Sequence, residues 1–410
     1  MPIYYVTRDI ERALGKKPDE HYRIITNAGA YAESIKKKYP GHVFLISRKT
    51  GELLLDTHTL LAHSETAKII SMDSVTSGDS SIIVFKNTAR IEALCEKKKW
   101  KLLNPPAAVT EKIENKITQV EWLGEAVRYL LPHRIKRISD INADIERPFI
   151  LQWAHSHTGD GTMLIQSGAS GEKILADLKK KFPDREGRIT KYVRGPMFTV
   201  NVCISKDILI GNISYQITGM VPFTDNPFAT IGNDWSLPHT LLSERKLAEF
   251  NEITKTVGQK MLADRWTGLF GIDCIYDEER DTIHLIEVNA RQPASATYES
   301  ELQAKIHGTT DVITGMTIFE AHIVALAGTS GGSIIEINDG AQIIDRVKKD
   351  SSHNLLKTVE DLRQKKYTVI EYENTKLGAD HIRIQSEHGI MSAHNAFNSR
   401  GIEIVAAVML

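Results

Sequence analysis

Two apolar runs separated by the turn EERD, GIDCIYD at 271–277 and TIHLIEVNAR at 282–291, constrain this chain more than any other stretch. They read as adjacent strands of a hairpin, and alternate residues of a strand share a face. Glu287, Asn289 and Arg291 are therefore expected to point one way, and Ile286 and Val288 the other. With the turn centred on Arg280, Asp273 stands seven residues before the centre and Glu287 seven after it, so the two carboxylates face each other. Facing carboxylates repel and raise a pKa unless a cation lies between them. Asp, Glu and Asn oxygens are hard donors suited to Mg²⁺ or Mn²⁺, whose remaining ligands come from phosphate and water. The expectation is a metal–nucleotide site with Asp273, Glu287 and Asn289 as metal ligands. The alternative is an ordinary exposed hairpin in which Arg291 pairs with Glu287.

At 410 residues the chain exceeds one ordinary core and calls for two or three domains. A hydrophobic fraction of 41% with 25% charged residues fits a folded globular protein. Its 51 basic and 52 acidic residues leave a net charge of -1, so no overall field favours nucleic acid or an anionic membrane as partner. The lysine runs at 36–38, 97–99 and 179–181 read as solvated helix faces. Cys95, Cys203 and Cys274 form no CxxC and read as buried free thiols of a reducing compartment. The first residues lack a signal-peptide pattern and no apolar run approaches a membrane span, so a cytoplasmic protein is expected.

Along the chain the pattern is α/β, then α+β, over several domains. Residues 1–110 are expected as an N-terminal Rossmann-like α/β domain with a parallel sheet, its elements legible from Arg23 to Pro106. The TNAGAY turn has one glycine and reads as a structural turn. Residues 111–328 are expected as a central domain. It opens on a helical stretch, EKIENKITQVEWLGEAVRYL, carries a strand-dense lid at about 140–195, and continues through the amphipathic helix ERKLAEFNEITKTVGQKML. The linker AGTSGGS precedes a small C-terminal α+β domain, 329–410. In it SIIEIN, AQIIDRV, YTVIEYE, DHIRIQS and GIEIVAAVM read as strands around one helix near LLKTVEDLRQKK.

With its acid on one strand and E-x-N-x-R on the next, the chain resembles the ATP-grasp superfamily of carboxylate ligases over residues 23 to 325. The resemblance implies an N-terminal pre-ATP-grasp domain, a central ATP-grasp domain and ATP with Mg²⁺ (or Mn²⁺) as cofactors. It implies that Lys116, in the stretch after NPP, contacts an ATP phosphate, and that Lys191, Tyr192 and Val193 of ITKYVRG line the adenine site, with Thr190 where the family usually has Glu. It implies that the loop after FILQW closes over the phosphates, which assigns Gln152, His155, Ser156, His157, Thr158, Gly159, Gly161 and Thr162 to ATP binding. Glycines there allow close backbone approach. The loop lacks the GKS or GKT of a P-loop. Gln152 stands where a lysine is common, and His155, His157 or Arg194 would have to compensate.

The implied reaction is attack of a carboxylate on the γ-phosphate to give an acyl-phosphate and ADP, followed by displacement of phosphate by an amine, forming an amide or peptide bond. Arg291 is the expected catalytic residue, holding the acyl-phosphate or the substrate carboxylate through its fork. Asn233, Asp234 and Trp235, in the long segment 221–240, are expected to border the acceptor pocket. Small-molecule carboxylate and amine partners follow, with a homodimer as an option for the C-terminal region. The alternatives are a carboxylate–thiol ligase or biotin-carboxylase-like subunit, against which the missing A-M-K-M acceptor segment counts, and a nucleotide-binding regulatory protein without chemistry.

Overall fold

A computed structural model describes residues 2–48, 53–77, 80–142, 145–155, 159, 161–307, 315–329, 331–348 and 355–409. Its first sheet is parallel and five-stranded. It comprises β1 (Ile3–Val6), β2 (Tyr22–Asn27), β3 (Val43–Ile46), β4 (Ser81–Val84) and β5 (Lys101–Leu102), in the order β3-β2-β1-β4-β5. The reading from Arg23 onward missed β1, which is the middle strand. Its IYYV run carries aromatic and β-branched residues suited to a strand buried on both faces, and Tyr4, Tyr5 and Val6 are fully buried.

A four-stranded antiparallel sheet occupies the stretch expected as the lid: β6 (His133–Arg137), β7 (Phe149–Trp153), β8 (Thr162–Ile165) and β9 (Glu186–Lys191), in the order β6-β9-β7-β8. The helix Ala169–Lys181 packs Leu175 into the lid's own small core with Phe149, Leu151 and Ile189. The stretch expected as one helix from 111 is broken. Helix Ala107–Glu114 stops at Asn115, whose extended backbone and side-chain acceptance from Ile117 N at 3.0 Å start a new turn, Thr118–Trp122.

The large sheet is antiparallel. Its strands are β10 (Met197–Ile204), β11 (Ile208–Ile210), β12 (Ser214–Thr218), β13 (Thr230–Asp234), β14 (Gly268–Asp277), β15 (Thr282–Asn289), β16 (Ala341–Arg346), β17 (Thr368–Glu371) and β18 (Asp380–Ser386). The order is β15-β14-β10-β12-β13-β16-β18-β17, with β11 beside β10. One face is covered by helix Glu244–Ala263. Ser243 caps it, and Phe250, Ile253, Val257 and Met261 recur at helical spacing and are fully buried. Each such side chain contributes about 1.5–3 kcal/mol on burial.

β16, from the C-terminal segment, pairs with β13, placing Gly232 opposite Ile343. β16, β18 and β17 thus extend the central sheet, and Leu362, Ile382 and Ile404 share one apolar cluster with Phe250 and Ile272. Two C-terminal expectations are corrected. GIEIVAAVM lies in a helix, Ser399–Val408, because Asn398 caps it through Gly401 N at 3.1 Å and Gly401, Ile404 and Val408 fall on one buried stripe while Ile402 faces out. SIIEIN forms no strand; Ile334 makes a single bridge to Met316. The segment 221–240 is also less irregular than expected, since β13 and a short helix, Pro238–Leu241, run through it. Among the described residues no helix is long and apolar enough to cross a membrane.

Candidate active site

At the site end of the hairpin, Asp273 lies opposite Glu287 and Gly271 opposite Asn289. Nearer the turn Cys274 pairs with Leu285, so Ile286 is spare and the ladder carries a bulge. Ile286, expected on the inner face with Val288, is half-buried like Glu287, whereas Val288 is buried, because the bulge resets the alternation by one residue. The pairing of the two acids and the clustering of polar groups around them hold.

Lys116 Nζ lies 2.7 Å from a Glu287 carboxylate oxygen. Asn289 Nδ2 donates to Asp273 Oδ2 at 2.9 Å, and Gln216 Nε2 to Asp273 Oδ1 at 2.7 Å. Arg291 pairs with Glu114, not with Glu287, and Glu114 also receives Lys86 from the end of β4. Burial and the facing Glu287 push the Asp273 carboxyl up. Burial acts on Glu287 too, but Lys116, Arg188 and Arg291 outweigh it and hold that carboxylate well below its usual range. Glu114 is likewise held low against its burial by Arg291 and Lys86.

The donor set suits a small hard cation. Asp273 is held by amides and has no cation at ion-pair distance among the described residues. No three His, Cys, Asp or Glu side chains converge among the described residues, so a metal here would complete its shell from amide, phosphate and water oxygen.

The broken helix at Asn115 lets Lys116 N donate to Ala154 O at 2.9 Å, which ties this lysine to the start of the loop after β7. That loop is closed by Trp153 N to Gly161 O at 3.0 Å and Thr162 N to Gly159 O at 3.1 Å. Gly159 has φ of 79°, and a Cβ there would lie 2.2 Å from the Phe228 carbonyl oxygen, so only glycine fits. Ser156, His157 and Thr158 lie outside the described residues. His155 sits 3.0 Å from Glu111 on the surface and Arg194 is exposed; among the described residues neither makes an ion pair with Asp273 or Glu287. Lys191 ends β9, where its N donates to Pro132 O at 3.1 Å, and Tyr192 and Val193 begin the connection to β10; all three are half-exposed. No hydrogen bond or ion pair among the described residues joins them to the acids.

Gln152 is buried on β7 between Thr162 of β8 and Arg188 of β9, and its Oε1 accepts from Arg188 Nη2 at 2.8 Å. Sequence reasoning missed Arg188; the signal was available as an arginine at the head of the strand RITKYV. It also missed Glu114 and a row of buried amides crossing the sheet. Gln216 pairs with Asn233, Gln342 Nε2 donates to Asn233 Oδ1 at 3.2 Å, and Arg383 Nη1 donates to Gln342 Oε1 at 2.8 Å. Each interrupts an apolar strand, which was the sequence signal. Gln216, which donates to Asp273, thus stands beside Asn233 in the ladder, while the Asn233 side chain itself donates to Ser214 Oγ at 3.1 Å.

Asp234 and Trp235 are corrected. Asp234 is fully buried and accepts from Ser236 N and Oγ, Leu237 N, Ile390 N and Met391 N. Trp235 is fully buried against Tyr298, at 6.0 Å between ring centroids. Both carry β13 into the C-terminal segment and present no surface to a small molecule, because tight turns and core packing consumed them.

No family model matches the sequence, and no curated protein matches it. Solved structures do. The carboxyaminoimidazole ribonucleotide synthase of Aspergillus clavatus, complexed with ATP, superposes with a TM-score of 0.66 at 14% identity, over 100% of this chain and 98% of that one. The N5-carboxyaminoimidazole synthetase of Staphylococcus aureus gives 0.64 at 15% identity, over 100% and 97%. The biotin carboxylase of Campylobacter jejuni, as a β,γ-ATP complex, gives 0.63 at 13% identity, over 94% and 87%. Over 94% or more of its length the chain therefore shares the fold of these three structures.

Proposed function

We propose that this protein is an ATP-dependent ligase that activates a carboxylate as an acyl-phosphate, releases ADP, and couples the acyl group to an amine with loss of phosphate. The observation that supports it is the convergence of Asp273, Glu287 and Asn289 with Lys116 on one patch, beside the loop that begins at Ala154. Asp273, Glu287 and Asn289 would hold Mg²⁺ or Mn²⁺, which supplies charge neutralisation at the transferring phosphoryl group. Lys116, now on Glu287, is the cation positioned to exchange that carboxylate for a phosphate oxygen. Positioning and charge stabilisation are what phosphoryl transfer asks of a protein.

Arg291 anchors Glu114 and through it Lys86, so we assign it to keeping the acids and the N-terminal domain in register while its charge acts on Glu287 and Asp273. The amine acceptor is proposed to lie over the amide row that runs from Asp273 through Asn233. The neighbours' names are those of enzymes that add carboxy groups, so bicarbonate belongs among the carboxylates to try, beside amino acids and other organic acids.

The test is incubation with ATP, Mg²⁺ and pools of carboxylates and amines while ADP and phosphate are measured. Hydroxylamine trapping of the acyl-phosphate names the activated acid. AMP and pyrophosphate as products would sink the mechanism, and ATP binding without turnover in any pool would favour a regulatory protein.

A further inference from the structure

Gln152 and Arg188 face each other across β7 and β9. Arg188 is 1% exposed. Its Nη2 donates both to Gln152 Oε1 at 2.8 Å and to the Ile286 carbonyl at 2.9 Å, and its Nε lies 3.3 Å from the same Gln152 oxygen. Nη1 is buried and has no hydrogen-bond partner among the described residues. No carboxylate stands at ion-pair distance from it there; Glu287, next to Ile286, acts on it only through space and already carries Lys116.

A guanidinium has five N–H donors in a fixed fork, and burying part of that fork unpaired is costly. Two acceptors that carry no charge hold one side of Arg188, and they come from different sheets: the lid supplies Gln152 and the central sheet supplies the spare Ile286 carbonyl at the bulge. The fork is oriented and, among the described residues, has no ion-pair partner; it lies one residue from the acids and on the strand next to the one that ends at Trp153. A site with that geometry suits an anion with several oxygens.

We infer that Arg188 is a phosphate-binding residue for the polyphosphate of a nucleotide, oriented by Gln152 as its positioning residue. This rests on the reading of the cleft as an ATP site. It also accounts for a glutamine at position 152: the carbonyl oxygen is needed to hold the fork, and a lysine there would set two cations against each other across one ladder position.

Binding of MgATP and of AMP is measured by calorimetry on the full chain, for the wild type and for Arg188→Met, Arg188→Lys and the double variant Arg188→Met with Gln152→Lys. A lost charge-assisted contact weakens ATP by roughly tenfold to a hundredfold. AMP, which lacks the β- and γ-phosphates, is expected to be unmoved. The double variant, which returns the charge from the neighbouring strand, is expected to recover most of the ATP affinity. Arg188→Lys keeps the charge without the fork and should lose ATP affinity less than Arg188→Met does. If Arg188→Met does not fold, Arg188→Lys and the double variant carry the same comparison. The inference is overturned if folded variants bind ATP like the wild type, or if ATP and AMP weaken together, as a lid tether alone would cause. A wild type that binds no ATP removes the functional reading first, and this inference with it, before any variant is made.

Discussion

Asp273 faces Glu287 because Ile286 is spare in the ladder between their strands, and the carbonyl of that spare residue is the one Arg188 takes. In an unbroken ladder continuing from Cys274 and Leu285, Asp273 would meet Ile286 and Glu287 would turn toward the core. The bulge thus places two repelling acids together, and the lid's arginine is attached to the bulge itself.

Asp273→Asn removes one of the facing charges and one hard oxygen. The burial of a charge and the repulsion by Glu287, which together push the Asp273 carboxyl up, disappear, so stability should change by no more than about 1 kcal/mol. Metal-dependent ADP release should fall by roughly a hundredfold or more, since the developing phosphoryl charge loses its cation site. Melting curves and turnover at graded Mg²⁺ check this, and undiminished turnover would place the metal elsewhere.

Gln216 reaches Asp273 Oδ1 at 2.7 Å and so favours the ionised acid. In Gln216→Met that donor is gone and the Asp273 carboxyl rises further, so higher pH is needed to ionise it. The acid limb of the kcat/KM profile should move up by roughly half a unit to one unit, with the alkaline limb unmoved. A limb that stays in place would mean that Asp273 does not govern it.

The lid strands and the long helix were legible in the sequence because each is a local signal, a short apolar run or a helical stripe; Lys116 came only from the resemblance, and the facing of Asp273 and Glu287 came from a turn centre that the structure replaces with the spare Ile286. The amide row was visible only in pieces. Gln216, Asn233, Gln342 and Arg383 come from four strands spread over more than 160 positions, and nothing local says those strands are neighbours. Glu114 was hidden in the helical stretch EKIENKITQVEWLGEAVRYL, and its partner Arg291 lies 177 residues away. β1 escaped notice because a run of only four residues carries little periodicity, yet the parallel sheet is built around it. GIEIVAAVM shows the opposite failure: a short apolar run fits either period, and only the Asn398 cap decided it.

His322 is buried between the helix Ile318–Leu326 and β14, where its Nδ1 accepts from Leu269 N at 3.0 Å. Burial drives its pKa down to about 3. The folded state thus holds it neutral while the unfolded chain takes up a proton below about 6.5. Stability from this residue is complete above that value and is lost as pH falls, by about 2 kcal/mol between pH 7 and pH 5. His322→Gln keeps an acceptor for Leu269 but cannot titrate. Denaturant unfolding at both pH values should give a pH loss smaller by that amount in the variant; equal losses would mean that His322 is protonated in the fold.

Asp234 and Trp235 offer a test that separates binding from architecture. Asp234 Oδ2 accepts from Ile390 N at 2.7 Å and Met391 N at 2.9 Å, so it fastens β13 to the chain leading into the last helix. Asp234→Ala leaves those buried donors unpaired and should destabilise the protein by about 3 kcal/mol or more. Trp235→Ala empties a fully buried indole site and should cost about 3–5 kcal/mol. Below the lowered melting temperature, both variants should keep wild-type KM values for ATP, the carboxylate and the amine, because neither side chain reaches solvent. Asn233→Ala should behave differently. It removes the acceptor of Gln342 Nε2 and the donor to Ser214 Oγ beside Gln216, so KM for the amine should rise severalfold with a smaller loss of stability. If Trp235→Ala raised an acceptor KM while Asn233→Ala did not, the acceptor would lie on the side of β13 that the structure fills with core.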